Sequence, residues 1–264
     1  MRFYKFLPKV IVRDYVKYFW VLEKDSIDKE ILDFKILPDG VPSIIFIDHL
    51  QEKIQCDYDL CSHLYVYGQY NKFTNQKIKG SFRIIGVYLQ PMALKALFNI
   101  DASELYNCSL PLEDLVSKDI LELLINTNTT KDKITILSDF IESLILKTNY
   151  STLRINFIIN SFEQGKSLQE IQNDMKISER SLERFMKIHI GLTPKMFSRI
   201  IRFQKSLDNL RVGNKISLTE IAYDNEYYDQ AHFNKDFKFF VGYTPSAYLK
   251  ASDEQLLNFP LMRL

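Results

Sequence analysis

Hydrophobic and polar positions follow a strand-like pattern in the first third of the chain. From Val10 to Tyr88, short runs of β-branched and aromatic residues such as VKYFWVL, SIIFID and FRIIGVYL are separated by turn signals. Runs of this kind are typical of β-strands. Proline presets φ and glycine accepts a positive φ, so the sequence Pro38-Asp39-Gly40 predicts a tight turn. We therefore expect a β-rich N-terminal domain.

The period of the hydrophobic positions becomes helical after Pro91. The segments MALKALF and Leu112 to Leu124 have this period, and between Lys133 and Lys147 apolar residues recur every three or four positions. The last segment predicts a strongly amphipathic helix, which either packs on its own domain or forms a homodimer interface. Polar joints on both sides of it, NTNTTK and KTNYST, predict a domain boundary near residue 150.

An internal repeat occupies the next hundred residues. SLQEI, which begins at Ser167, recurs as SLTEI at Ser217, and GLTP at Gly191 recurs as GYTP at Gly242, with an offset of 50 residues at the start and 51 at the end. Each copy predicts a helix capped by serine, a tight turn, a second helix of about three turns and a glycine stop. This order predicts a helix-turn-helix motif, present twice.

The second helix of each copy has an apolar face and a polar face. Apolar residues lie on one face at a helical period. The opposite faces are cationic or amide, with Arg180, Arg184 and Lys187 in the first copy and Gln230, Ala231, Asn234, Lys235 and Lys238 in the second. Arg, Gln and Asn hydrogen-bond base edges in the major groove, and Lys mostly contacts phosphate. The polar faces therefore predict binding to double-stranded DNA.

The stretch from Thr193 to Gly213 predicts a long helix between the two copies. Thr193 is suited to cap it, Pro194 to occupy its first position, and apolar residues recur at a helical period up to Gly213. A rigid connector would place two recognition helices in successive major grooves, about 34 Å apart. Its cations are expected to contact phosphates: Lys195, Arg199, Arg202 and Lys205.

Composition and charge agree with a two-domain globular protein. The 264 residues are 46% hydrophobic and 25% charged, and the formal net charge is only +1. Residues 1–150 hold 18 Lys and Arg against 20 Asp and Glu, whereas residues 151–250 hold 15 against 11. Any basic surface is therefore local and belongs to the C-terminal part.

Cysteine usage and hydropathy favour the cytoplasm. Cys56, Cys61 and Cys108 are an odd number without a CxxC pair, which predicts free thiols, and Cys56, Cys61 and His63 match no closed tetrahedral zinc pattern. We expect no metal and no cofactor. The first residues lack the apolar core of a signal peptide, and no apolar run reaches the roughly 20 residues that cross a bilayer. We therefore expect no contact with a membrane.

The C-terminal motifs resemble a known family. ISERSLERF…GLTP followed by LTEIA…YYDQAHFNKDF…GYTP is similar to the paired helix-turn-helix domain of the AraC/XylS family of bacterial transcription regulators. The N-terminal LPDGVPSIIF, VYGQY and GVYLQPMALKALF…SLPLEDL resemble the sensor-side domain of a subgroup of that family. The resemblance implies base contacts by Arg180, Glu183 and Arg184 in the first recognition helix and by Gln230, Ala231, Asn234 and Lys235 in the second.

The resemblance also implies an architecture and a function. The expected fold is α+β, with a β-rich, barrel-like regulatory domain and linker helices at residues 1–150, an all-α double helix-turn-helix domain at 151–250, and a tail at 251–264. The expected function is sequence-specific control of transcription, not enzymatic activity. A small-molecule effector of unknown identity or dimerisation through residues 133–147 is the expected means of control, and RNA polymerase is an expected partner of an activator.

The sequence departs from the family at the second turn. The family carries glycine just before the aromatic residue, and here Glu226 precedes Tyr227. A left-handed backbone at a residue with a Cβ costs about 1 to 2 kcal/mol. The alternative is that Asn225 takes the positive φ and the turn shifts by one residue. Either way, we expect a weaker second half-site.

Two other functions remain open from the sequence. An enzyme or metal-dependent sensor would need its chemistry in the β domain, from His49, His63, Asp48, Asp57 and Asp59, which match no HExxH, GxSxG or phosphate-binding glycine loop. A protein-binding sensor with little DNA affinity would use the helix at 133–147. The interior of the β domain suits either a ligand or an ordinary filled core, and the filled core is the simpler expectation. The sequence does not identify an operator or distinguish activation from repression.

Overall fold

Two β-sheets form the N-terminal part of the protein. The computed structural model describes residues 1–25, 31–52, 54–56, 62–212 and 217–250. A six-stranded antiparallel sheet has the order β1-β2-β8-β4-β6-β9, and a three-stranded sheet has the order β3-β7-β5. The strands are β1 (Arg2–Phe6), β2 (Val16–Lys24), β3 (Ile31–Ile36), β4 (Ser43–Leu50), β5 (Gln55–Cys56), β6 (Leu64–Tyr67), β7 (Thr74–Lys79), β8 (Phe82–Leu89) and β9 (Ser109–Pro111).

The large sheet buries both of its faces. Alternate residues of a strand point to opposite faces, so Ile44 and Phe46 of β4 contribute to the core under the helices, while Ile45 packs with Trp20 on the side of the small sheet. Gly86 of β8 makes room for that tryptophan, since a Cβ there would lie 2.0 Å from the indole ring. Across the described residues the two sheets do not join into one closed barrel, which refines the expected barrel-like shape.

Helices cover the outer face of the large sheet. They are α1 (Ala93–Phe98), α2 (Asp119–Ile125) and α3 (Thr130–Ile145), with 3₁₀ turns at Val10–Val12, Ala102–Leu105 and Leu112–Asp114. The continuous helical stretch expected from Leu112 to Leu124 is wrong. Leu112–Asp114 forms a 3₁₀ turn, and α2 is a separate helix that begins at Asp119.

The apolar stripe of α3 packs on its own domain. Leu137 and Ile141 are fully buried against the large sheet. Lys133 is buried as well, and its ammonium is paired with the carboxylate of Asp48 on β4. Of the two interpretations of this helix, packing within the domain is therefore confirmed. A dimer through residues 133–147 stays a prediction.

The C-terminal part is all helical and repeats one unit twice. Its helices are α4 (Leu153–Glu163), α5 (Leu168–Met175), α6 (Glu179–His189), α7 (Pro194–Val212), α8 (Leu218–Asp224), α9 (Gln230–Val241) and α10 (Pro245–Lys250). Helices α5 and α8 begin with matching capping boxes, Ser167 with Glu170 and Ser217 with Glu220. The α+β class and the two helix-turn-helix units are thus confirmed, while the boundary near 150 stays a prediction.

The long helix α7 connects the two units and carries their common core. Phe203 is fully buried, with its ring centroid 4.8 Å from that of Phe240 and 5.7 Å from that of Phe237, both on α9. Leu182 and Met186 of α6 are buried in the same cluster. Gly213, the expected helix stop, and the tail 251–264 lie outside the described residues.

Both helix-turn-helix units make the same strained turn. Lys176 follows α5 with a φ of 51°, and Glu226 occupies the equivalent position after α8 with a φ of 60°. In each unit the next residue donates its N–H to a carbonyl five residues earlier, Ile177 to Gln172 and Tyr227 to Ala222. Asn225 has a φ of −107°, so the alternative that it takes the positive φ is wrong.

The strain predicts that glycine at the second turn stabilises the protein. The Cβ of Glu226 makes the left-handed backbone conformation sterically unfavourable. Glycine has no Cβ and avoids this cost. We expect Glu226→Gly to raise the free energy of unfolding by up to about 1 kcal/mol. Urea denaturation of the variant and the unchanged protein measures this difference.

Asp224→Gly is the matched control, because Asp224 ends α8 two residues earlier. Glycine relieves no positive φ at this position and is a poor helix former, so this variant should not be more stable than the unchanged protein. Equal losses in both variants would contradict the strain at Glu226.

Candidate nucleic-acid interface

The first recognition helix presents its cations to solvent. Arg180, Arg184 and Lys187 of α6 are exposed, while Leu182 on the opposite side is fully buried. Glu183 is half-buried, and its carboxylate lies 2.8 Å from the Lys187 ammonium, a pair one helical turn apart. Arg180 and Arg184 have the length and the exposure needed to reach base edges.

The second recognition helix presents a mixed face. Ala231, Lys235 and Lys238 of α9 are exposed, and Gln230 and Asn234 are half-buried. The remaining side of the helix is built from phenylalanine rings in the core. This helix therefore offers amide groups and cations on one surface, as the spacing predicts.

Local hydrogen bonds position the start of the second recognition helix. The Asp229 carboxylate caps α9 by accepting from the His232 N–H at 2.7 Å. The Thr219 hydroxyl of α8 donates to Gln230 Oε1 at 2.7 Å, which holds the side-chain amide in place. Asn234 Oδ1 is buried and accepts no hydrogen bond from the residues that the structure describes.

The cations of the connecting helix divide into two groups. Lys195 and Lys205 are exposed on α7, although the Lys205 ammonium also donates to the Glu163 carbonyl at 2.8 Å. Arg202 donates to the Glu226 carbonyl at 2.9 Å and lies over the Tyr227 ring. Arg202 thus holds the strained turn. If Arg202 also contacts a DNA phosphate as expected, its guanidinium must do so while it keeps this internal hydrogen bond.

Arg199 has an internal partner that sequence reasoning missed. Its guanidinium makes two hydrogen bonds to Asp236 of α9, at 2.8 and 3.3 Å, and Asp236 is only 4% exposed. A buried carboxylate needs such a partner. Helical spacing does carry a signal, because Asp236 falls within the apolar stripe formed by Phe233, Phe237 and Phe240. These contacts favour a structural role for Arg199.

His189 joins the first recognition helix to the rest of the protein. Its Nδ1 lies 2.6 Å from the hydroxyl of Tyr150, which precedes α4. Burial, followed by the nearby Lys95 ammonium of α1, lowers the pKa of His189. The neutral imidazole is therefore the form that fits this junction. Helical periodicity places His189 on the same face as the buried Leu182, but it gives no sign of this contact.

The residues considered for metal or enzyme chemistry do not form a cluster in the described structure. His63 Nδ1 lies 2.8 Å from the Ile47 carbonyl, and His49 Nε2 lies 3.1 Å from the Ser81 hydroxyl. Within the residues described, no three His, Cys, Asp or Glu side chains are grouped to hold a metal ion. Asp57, Asp59 and Cys61 lie outside those residues, as does the Cys56 side chain. None of the described helices is both long enough and apolar enough to span a bilayer.

Two family models match separate parts of the chain. The fold and the two exposed polar helices define a double helix-turn-helix protein. Residues 171–251 match the family described as helix-turn-helix domain, and residues 4–111 match a domain of unknown function, DUF6597.

Two curated relatives are named as regulators. The uncharacterized HTH-type transcriptional regulator YidL of Escherichia coli K12 is 34% identical over 95 residues, 36% of this chain and 31% of YidL. The HTH-type transcriptional activator RhaS of Escherichia fergusonii is 29% identical over 118 residues, 43% of this chain and 42% of RhaS. The chain thus matches less than half the length of either relative. With the family match, these relatives confirm the resemblance to the AraC/XylS family.

Solved structures of ToxT from Vibrio cholerae are also similar. The 1.65 Å structure has 14% sequence identity and a TM-score of 0.45, and the match covers 88% of this chain and 97% of ToxT. Another ToxT structure, described as bound to an unsaturated fatty acid, has 17% identity and a TM-score of 0.44, with 88% of this chain and 94% of that chain covered.

The internal partner of Arg199 leads to a prediction about stability. Arg199→Ala leaves the buried Asp236 carboxylate without its main cation, so we expect the free energy of unfolding to fall by about 2 to 3 kcal/mol. Urea denaturation measures the loss. Arg184→Ala is the control, since an exposed arginine should change stability by no more than about 0.5 kcal/mol. If Arg199→Ala kept its stability and lost only DNA affinity, the structural role would be wrong.

Proposed function

We propose that this protein is a sequence-specific DNA-binding transcription regulator. The observation that carries the proposal is the pair of amphipathic helices, α6 and α9, whose exposed faces bear cations and amides while their apolar faces are buried on one connector, α7. Two recognition helices on one rigid element suit successive major grooves on one side of a DNA duplex. The relatives named as regulators support this function over an enzyme.

Different side chains have different tasks in this proposal. Arginine and amide side chains read bases, because they form paired hydrogen bonds with guanine or adenine edges. These are Arg180 and Arg184 on α6, and Gln230 and Asn234 on α9, with Glu183 and Ala231 beside them. Lysines position the protein on phosphates. These are Lys187, Lys235 and Lys238 on the recognition helices, with Lys195 and Lys205 on the connector.

The N-terminal domain is suited to control the DNA-binding domain because it touches each of its parts. The end of the first recognition helix is tied to the linker through His189 and Tyr150. Gly242, which ends the second recognition helix, packs against Phe73. Gln204 of the connector donates to the carbonyl of Pro38. A conformational change in the N-terminal domain would therefore alter the positions of both recognition helices.

The proposal extends to partners and location. Effector binding or dimerisation through residues 133–147 would shift the position of the DNA-binding domain, and activation would follow from contact with RNA polymerase. RhaS is named an activator, which supports activation as the effect. Such a regulator acts in the cytoplasm, where bacterial DNA lies. The domain division at 1–150, 151–250 and 251–264 belongs to the same proposal.

The first test separates base reading from phosphate contact. Fragments selected from random DNA provide the preferred site. Arg184→Ala removes a side chain that can bind a guanine edge, so affinity for that site should fall by about 1 to 3 kcal/mol and affinity for scrambled DNA should barely change. Fluorescence anisotropy titrations with both duplexes measure the two affinities.

Lys195→Ala is the matched control, because Lys195 is exposed on the connector rather than on a recognition helix. A phosphate contact carries no sequence information, so this variant should weaken binding to both duplexes alike. If Arg184→Ala also lost the same affinity on both duplexes, α6 would be an electrostatic clamp and not a reader of bases.

The second test concerns salt. Release of counterions predicts that log K falls linearly with log[salt], with a slope of about −0.9 for each phosphate contacted. The slope is obtained from anisotropy titrations at several NaCl concentrations, and Lys195→Ala should flatten it by about one contact. Affinity that does not depend on salt would exclude the nucleic-acid function.

A further inference from the structure

A cavity of about 100 Å³ lies between the two sheets of the N-terminal domain. Its wall on the large sheet is apolar and includes Trp20, Ile47 and Ile84, and its wall on the small sheet includes Ile78 and Gln76. The expectation of a filled core is therefore not met at this point. A closed apolar cavity of about 150 Å³ takes benzene, and this smaller cavity is partly open, so it suits a small molecule of about six heavy atoms.

One acidic side chain lines this apolar cavity. Asp39 belongs to the turn that follows β3, and its carboxylate accepts hydrogen bonds from the Val41 N–H at 3.1 Å and from the Tyr88 hydroxyl. Among the described residues, no Lys, Arg or His nitrogen lies within 4.0 Å of it, and none of these residue types lines the cavity. Its negative charge therefore lacks a paired cation.

Burial raises the pKa of Asp39 to about 6, against the opposing effects of the Tyr88 hydrogen bond and of Lys17. At pH 7.5 the carboxylate is still mostly ionised. Asp39 is half-buried among apolar side chains, and an ionised carboxylate in such surroundings is stabilised by an opposite charge within about 4 to 6 Å. The site therefore favours a cation and disfavours an anion.

Aromatic rings surround the same site. Trp20, Tyr67, Tyr70 and Tyr88 all line the cavity, and the faces of such rings attract cations. A carboxylate among aromatic and aliphatic side chains matches a ligand with one charged nitrogen and a short hydrocarbon body. We propose that this cavity binds a small apolar amine, with its ammonium paired to Asp39, and that the Pro38–Gly40 turn transmits its presence to α7.

The turn that holds Asp39 also packs against the connecting helix α7. Gly40 has a φ of 76°, and a Cβ there would lie 3.2 Å from the Phe197 ring of α7. The buried Gln69 amide donates to the Gly40 carbonyl at 2.8 Å, and Gln204 of α7 donates to the Pro38 carbonyl. An ammonium that moves Asp39 therefore moves a turn packed on α7. This transmission rests on the proposed function, whereas binding of the amine does not.

Three probes of similar size test the charge preference. Isopentylamine, isopentanol and isovalerate each contain five carbon atoms with the same branched end, and they carry a positive, a neutral and a negative head group at pH 7.5. Isothermal titration calorimetry gives their affinities for the full chain, and Trp20, the only tryptophan, reports occupancy of the cavity by its fluorescence. We expect isopentylamine to bind at least about tenfold more tightly than isopentanol, and isovalerate not to bind.

Substitutions then assign the binding to this site. Asp39→Asn keeps the shape and removes the charge, so isopentylamine should lose about tenfold in affinity while isopentanol is unchanged. Asp33→Asn, an exposed acid on β3, is the matched control and should change neither. Ser43→Leu provides a second variant that fills the cavity without touching the turn, and it should weaken both ligands.

The outcomes are distinct. The amine site would be overturned if the amine and the alcohol bound equally well or if isovalerate bound more tightly than the amine. It would also be overturned if Asp33→Asn lost as much amine affinity as Asp39→Asn, or if the fluorescence of Trp20 did not respond. Saturating isopentylamine should also change the affinity for the selected DNA site at least threefold. An unchanged DNA affinity with intact amine binding would overturn the transmission through the turn. Failure to bind DNA at all would overturn the proposed function and leave the calorimetric result standing.

Discussion

Burial of the connecting helix α7 is the constraint on which the rest of the structure depends. On one side Phe203 packs against the rings of α9, and towards its start Phe197 lies with its ring centroid 5.5 Å from that of Phe162 on α4. Truncation of a buried aromatic ring typically costs about 3 to 5 kcal/mol. Because one helix contributes to both units, the two recognition helices cannot be placed independently. The same helix also receives the turn of the N-terminal domain at Gly40.

The charges of the C-terminal domain serve two physical purposes. Arg184 and Lys235 are exposed, so the DNA contacts proposed for them would break no contact within the core. Arg199 and Arg202 have similar chemistry but neutralise a buried carboxylate and hold a strained turn. Internal contacts therefore separate the cations that are available for DNA in the proposed function from those that hold the two recognition helices in position. Residue type alone does not make this distinction.

The N-terminal domain has an ion-pair network on one side of its large sheet and a cavity on the other. Its large sheet is covered by helices on one face, and its other face is only partly filled by the small sheet. Ion pairs among Lys133, Asp48 and Arg83 fasten α3 to one end of the central strands β4 and β8. The cavity lies on the opposite face, next to the turn that contacts α7. Ligand binding there would leave the helical layer undisturbed and act on the connector.

The sequence by itself determined the elements whose cause is local. The serine caps, the glycine stops, the repeat and the separation of faces on α6 and α9 follow from periodicity and capping, which involve residues only a few positions apart. The partner of Arg199, the φ of Glu226 and the cavity beside Asp39 were decided by the tertiary structure. Asp236 lies 37 residues from Arg199, and Tyr88 lies 49 residues from Asp39. Contacts between residues so far apart in the chain depend on how helices and strands pack against one another. No local pattern in a single sequence determines that packing.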